Sequence, residues 1–184
     1  MFQTPRLHIR LLAETDLSNM HQLNSMPEVD EYNTLGLPKS IEDTQNLLAN
    51  CLTKQNAIPQ ESYFFCLELV NTHEFIGLMG LNLGRATYKS GEVWYKIHPT
   101  HWRQGYTTEA LERILNFAFK DLQLHRVEAG CATANIASVR VLEKVGMTRE
   151  GQTRKKLPIR GQWVDNYEYA ILEEDYLKLP DKTQ

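Results

Sequence analysis

A chain of 184 residues, 42% hydrophobic and 23% charged, has the composition of one globular domain. That composition excludes a disordered chain, a collagen-like repeat and a disulfide-dense mini-protein. Twenty Lys and Arg against 23 Asp and Glu give a formal net charge of -3, which argues against nucleic acid as partner, because neutralising phosphates calls for a basic excess.

The predicted elements begin with a strand over 6–12 (RLHIRLL) and a helix from about Asp16 to Met26, closed by Pro27. Residues 28–39, with Gly36 and Pro38, read as a loop. Ser40 and Asp43 read as the N-terminal pattern of a helix reaching about Lys54. Tyr63–Val70 and Phe75–Leu83 are strand-like runs around the hairpin-length turn 71–74, and Glu92–Ile97 follows the turn signal Lys89-Ser90-Gly91. An antiparallel meander is expected there. From Thr108 the period turns helical, with Leu111, Ile114, Leu115, Ala118, Phe119 and Leu122 on one face. A short strand over Arg126–Thr133 and a helix over Asn135–Val145 with Gly146 at its C′ position come next. Strands around 148–157 and 163–172, turned at Gly161, complete the chain. Without repeat or linker, residues 1–184 are expected to form one α/β domain on a mixed sheet.

The three cysteines, Cys51, Cys66 and Cys131, form no C-x-x-C pair, so buried reduced thiols are expected. No signal-peptide pattern opens the chain and no apolar run approaches the ~20 residues that cross a bilayer, so a soluble, cytoplasmic protein without a membrane partner is expected.

In Pro99–Ala110, PTHWRQGYTTEA, a strand ends, a Gly-containing loop follows and a helix starts at once. Backbone N–H groups and the positive end of the helix dipole then converge on one space, which suits phosphate oxygens. Gly105 would let the backbone approach such an anion closely. An ordinary strand-to-helix turn explains the same residues, and neither a P-loop nor G-x-G-x-x-G occurs. In Asn135–Met147, NIASVRVLEKVGM, Asn135 and Ser138 share a direction at a helix start, where simple capping competes with a functional role.

Taken together, W-R-Q-G-Y-T-T-E-A, N-I-A-S-V-R-V-L-E-K-V-G-M, the opening T-P-R-L-H-I-R-L-L, E-G-Q-T-R and W-V-D-N-Y-E-Y-A-I-L-E-E-D-Y resemble the GNAT superfamily of N-acetyltransferases. The similarity is closest to its RimJ/RimL-like branch and runs from about residue 4 to residue 177. It implies a mixed, mostly antiparallel central sheet flanked by helices and splayed between the fourth and fifth strands. It also implies acetyl-CoA as acetyl donor and no metal. In that family the backbone amides of residues like Arg103, Gln104, Gly105, Tyr106, Thr107 and Thr108 hold the pyrophosphate. The backbone of Tyr95 and Ile97 would pair with the pantetheine arm, and Asn135 and Ser138 would meet the cofactor near the thioester. Trp102 is common at its place in this branch, whereas Arg103 and Thr107 are bulkier than the residues often found there.

The implied chemistry is aminolysis of a thioester by direct attack, with no acyl-enzyme. It needs a base for the amine, a donor for the oxyanion and a donor for the leaving thiolate. An amide near Ile97 suits the oxyanion. The tyrosine that many members use for the thiolate is replaced by Leu142, which makes Ser138 the candidate. Glu92 is the candidate base, with a plain surface charge as the competing reading. His98 and His101 are rivals, and their H-x-x-H spacing lacks a third metal ligand.

Arg149, Arg154, Lys155, Lys156 and Arg160 read as a solvated hairpin, or as a contact to the CoA 3′-phosphate or to an acidic substrate. The acceptor implied by the branch is a primary amine. A protein or peptide N-terminal α-amino group leads, and a small amine such as an antibiotic, polyamine or amino-acid derivative is the alternative. A non-catalytic acyl-CoA-binding module is the reading from another class. Acceptor determinants are expected in 16–58, where Glu28, Asp30, Glu31 and Tyr32 could attract a cation, and near Gly161. Dimers are common in the branch.

Overall fold

The computed structural model describes residues 1–179, so the end of the expected domain, 180–184, lies outside the described residues. Eight strands form one sheet: β1 (Phe2–Gln3), β2 (Leu7–Leu11), β3 (Ser62–Leu69), β4 (Phe75–Leu83), β5 (Ser90–Ile97), β6 (Arg126–Ala132), β7 (Thr148–Ile159) and β8 (Gln162–Leu172). Their order is β1-β2-β3-β4-β5-β6-β8-β7. Every neighbouring pair is antiparallel except β5 and β6, which run parallel. The helices are α1 (Leu17–Asn24), α2 (Pro27–Asp30), α3 (Ile41–Gln55), α4 (Tyr106–Asn116), α5 (Ile136–Lys144) and α6 (Glu173–Tyr176).

Both sheet faces are covered, which explains why β3 reads as an unbroken apolar run rather than an alternating one. Phe65 and Leu67 join the core beneath α4 and α5, with Met79, Leu81, Val93, Leu111 and Ile114. Phe64 and Cys66 face the other way, onto Leu12, Met20, Leu23, Leu48, Cys51 and Leu78 beneath α1 and α3. All three cysteines are buried and unpaired. Arg10 ties β2 to the start of α1, donating to both Asp16 oxygens at 2.8 and 2.6 Å and to Glu68 at 2.8 Å.

Three departures from the sequence reading have physical causes. β1 has only two residues, too few for a periodic signal; counting it, the strands at 92–97 and 126–133, expected as the splayed fourth and fifth, are β5 and β6. The expected loop 28–39 begins with the short helix α2, started by Pro27 at a first-turn position that needs no N–H. The helix expected from Thr108 starts at Tyr106 and passes at Phe117–Asp121 into a π-helical turn, which keeps the apolar face on the core. Gly146, at φ 93°, closes α5 as expected, and Arg160-Gly161, at 48° and 75°, turn β7 into β8.

Candidate active site

β5 and β6 pair only through Ser90↔Arg126, Gly91↔Val127 and Glu92↔Glu128 and then diverge. Bonds from Gly84 N to Ser90 O and from His98 N to Ile76 O lie at the two ends of the β4–β5 ladder. They place the hydrogen-bonded pairs at even positions of β5. Odd positions therefore direct their N–H and C=O away from β4. The backbone of Tyr95 and Ile97 faces the gap, where the sequence reading expects it. The Ile97 carbonyl accepts the Trp102 indole N–H at 2.7 Å.

Where the gap opens, the chain turns through Trp102–Gly105, all solvent-exposed, into α4. Arg103 and Gly105 take φ of 60° and 83°, and only glycine does so without steric cost. The first backbone bond of the helix is Glu109 N to Gly105 O at 3.1 Å, so the amides of Tyr106, Thr107 and Thr108 have no intrahelical acceptor. The Thr108 side chain is buried, which leaves its backbone as the group it can offer.

Arg6 braces this loop, a role the sequence reading missed. It bonds Glu109 at 2.6 Å and the Gln104 carbonyl at 2.8 Å, and its guanidinium lies 4.5 Å above the Tyr106 ring. An acid, Glu109, in the first turn of α4 is the one local hint that a cation stands nearby.

At the start of α5 the Asn135 Oδ1 accepts the Ser138 N–H at 3.1 Å, the N-cap bond weighed against a cofactor role. The Ser138 hydroxyl is nearly buried, and its oxygen lies 2.7 Å from the Tyr95 hydroxyl. Burial pushes the Tyr95 phenol well above its ordinary value, with the Ser138 bond opposing, so it remains a protonated donor.

The opposite face carries different chemistry. Glu92, Trp94 and Lys96 alternate with Tyr95 and Ile97 and face α1 and α3. Trp94 lies flat on Gly80, where a Cβ would come within 2.3 Å of the indole. Lys96 donates to Asn24 at 2.7 Å and is pushed down to about 8, chiefly by burial. Burial also raises Glu92; Lys156 works against this, and Glu128 and Glu168 add to it. Glu92 and Ser138 thus stand on opposite faces of the sheet and do not meet.

The two histidine rivals sit beyond the end of β5, His98 on Thr100 at 2.7 Å and His101 on Glu74 at 3.1 Å. The basic cluster is spread out rather than pooled. Arg149 stacks on Tyr167, Lys156 bonds Glu168, and Arg160 donates to the Pro27 carbonyl at 2.7 Å. His8, Glu68 and His73 converge within 4.8 Å, a group that sequence reasoning did not single out, but Arg10 already holds the Glu68 carboxylate. A cavity of about 600 Å³ lined by Lys89, Phe119, Lys120, Gln123, His125 and Glu173 lies at the other end of the β5–β6 pair and contains no predicted residue.

A family model described as an acetyltransferase (GNAT) domain matches residues 6–148. The chain belongs to the GNAT acetyltransferase family. As a GNAT protein it is an acetyl-CoA-dependent N-acetyltransferase. It is 44% identical over 93 residues to the uncharacterized N-acetyltransferase YnaD of Bacillus subtilis, a match that covers 50% of this chain and only 53% of YnaD, about half that relative's length. YjcK of the same organism, described as "Probable N-acetyltransferase YjcK", is 34% identical over 153 residues, 82% of this chain and 80% of YjcK. The crystal structure of a GNAT-family acetyltransferase from Bacillus anthracis superposes with TM-score 0.81 at 31% identity, covering 94% of this chain and 98% of that one. The spermidine N-acetyltransferase of Vibrio cholerae, solved with CoA and spermine, shares the fold at TM-score 0.84 and 24% identity over 95% of this chain and 100% of that one. Among the described residues of this GNAT chain no helix is long and apolar enough to cross a membrane.

Proposed function

We propose that this GNAT protein acetylates a primary amine that enters on the Glu92 face, while the CoA thiolate leaves on the Ser138 face. The observation that carries the reading is the division of the two chemistries between the faces of one gap. Glu92, raised above its ordinary value by the desolvation of its carboxyl, takes the proton of the attacking amine directly or through water. The Ile97 N–H, facing the gap, donates to the oxygen that gains charge. As the N–C bond forms and the C–S bond breaks, Ser138 donates to the thiolate and Tyr95 supports Ser138. The amides of Arg103 to Thr108 hold the pyrophosphate, and Asn135 fixes the turn that presents Ser138.

For the acceptor, the carboxylates around Glu92 favour a small cationic amine. The spermidine acetyltransferase of Vibrio cholerae, 27% identical over 172 residues, agrees with that direction. Tyr32, Leu35 and Leu37 ahead of α3 and Ile41 at its first position, all exposed, favour the other class, a peptide presenting its N-terminal α-amino group. Calorimetric titration with acetyl-CoA, followed by thiol release on a panel of diamines, monoamines and peptides with free or blocked N-termini, tests the reading. Saturable 1:1 binding and turnover on one class support it, and binding without turnover on any amine points to an acyl-CoA-binding module.

A further inference from the structure

The face that holds Glu92 carries more acid than one proton acceptor needs. The register places Glu92 beside Glu128, Gly130 beside Glu168, and Ala132 beside Asn166, all on the same side of the sheet. Gly130 contributes no side chain, and the Asn166 amide takes the space above it, beside the carboxylates. Glu128 is engaged by Arg126 at 2.7 Å and adds charge from a distance. Asn166, 1% exposed, lies over Gly130, and its amide helps to hold the Glu168 carboxyl below its ordinary value. Its Oδ1 is buried with no hydrogen-bond partner. An orphaned acceptor inside an acidic cluster is the group that a ligand N–H would satisfy.

A second observation concerns β7. Its register against β8 jumps from Thr153↔Asn166 to Leu157↔Val164, so Arg154, Lys155 and Lys156 oppose Asp165 alone. Such a bulge re-aims a side chain. Lys155 takes φ 52° and its N–H bonds Asp165 at 2.9 Å. The bulge delivers the Lys156 ammonium to Glu168 Oε1 at 2.6 Å, where the Thr153 hydroxyl also donates at 2.9 Å. The same ammonium opposes the rise of the Glu92 carboxyl, so it lies within electrostatic reach of both acids. Lys156 is half exposed and free to swing outward.

We propose that Glu168 and Asn166 form a subsite for a second ammonium group of the acceptor, and that Lys156 occupies it in the free protein as an intramolecular stand-in. The acceptor is then a short aliphatic diamine, its reacting nitrogen at Glu92 and its other nitrogen at Glu168. This rests on the small-amine reading above. Exchange of one ammonium for another leaves no carboxylate unpaired, and a half-exposed lysine pair costs little to open.

The test is calorimetry on CoA-saturated protein with 1,4-diaminobutane and butylamine, which share the same carbon chain. The diamine should bind about tenfold tighter or better, as one charge-assisted contact implies. Glu168→Gln should erase that preference, and Lys156→Met, which removes the competitor, should widen it several-fold. Equal affinities in the wild type, a preference that survives Glu168→Gln, or weaker diamine binding by Lys156→Met would each overturn the subsite. Loss of CoA binding itself would instead sink the acetyltransferase reading, so the two failures are told apart on one sample.

Discussion

The Tyr95 and Ser138 hydroxyl oxygens stand 2.7 Å apart, joining the splayed strand β5 to the first turn of α5. Under the proposed mechanism, Tyr95 supports Ser138 from another element, where Leu142 offers no hydroxyl. Tyr95→Phe and Ser138→Ala should each lower kcat about tenfold, the size of one hydrogen bond to developing charge, and leave the Kd for acetyl-CoA within about threefold. Because the two act as a chain, the double variant should be little worse than Ser138→Ala. Additive losses in a double-mutant cycle would separate them.

Glu92→Gln should lower kcat/KM at neutral pH by about 100-fold or more if Glu92 is the base. Its carboxyl is raised by burial, with Glu128 and Glu168 adding and Lys156 opposing. The acid limb of the wild-type pH profile should therefore lie above the ordinary carboxylate range, with activity lost as the pH falls through it. Removing the Lys156 charge should move that limb to higher pH. A profile unchanged in Lys156→Met would take Glu92 out of the base role.

Gly105→Ala and Gly161→Ala form a matched pair. Both glycines have positive φ, 83° and 75°, so each alanine should cost about 1–2 kcal/mol of stability. A methyl at Gly105 comes 3.3 Å from Arg6 in the loop proposed to hold the pyrophosphate, whereas nothing lies within 4 Å at Gly161. Only the first should weaken acetyl-CoA binding, read by calorimetry beside thermal melts.

Arg6→Met should raise the acetyl-CoA Kd several-fold and lower stability by about 1 kcal/mol, because Gln104 and Glu109 lose the group that braces the loop. Unchanged affinity would reduce Arg6 to a surface ion pair.

Asp16 is 2% exposed. Burial would raise its pKa, but bonds from Arg10 and the Ala13 amide outweigh this and hold it below the ordinary value. Its contribution is present above the unfolded-state pKa of about 3.9 and is lost as pH falls through the lower folded value. Asp16→Asn should cost roughly 3–5 kcal/mol at pH 7, and the difference in Tm from wild type should shrink toward pH 3.

What could be read from sequence was local. Gly105 and the amides after it are consecutive, so the order strand, glycine, helix was legible as a turn that frees several N–H groups, although an ordinary strand-to-helix turn has the same order. Arg6 meets Glu109 across 103 positions, and no spacing rule reaches that far. Tyr95 was visible as a residue of β5, but the side of the sheet it serves depends on where β6 diverges. Lys156 reads as one basic residue among several, because its aim is set by a bulge that only the pairing of β7 with β8 reveals. β1 and α2 are too short to leave a period.

The divergence of β5 from β6 gives the sheet a third edge, inside the molecule. Exposed edges invite other polypeptides to add a strand, and proteins defend them. Here α4 and α5 lie on one side of that edge, and Trp94 and the carboxylates lie on the other. We propose that the guest suited to this edge is one that brings amides but almost no side chains, as a pantetheine arm does, so that selectivity for the acetyl donor begins with the shape of an unpaired strand.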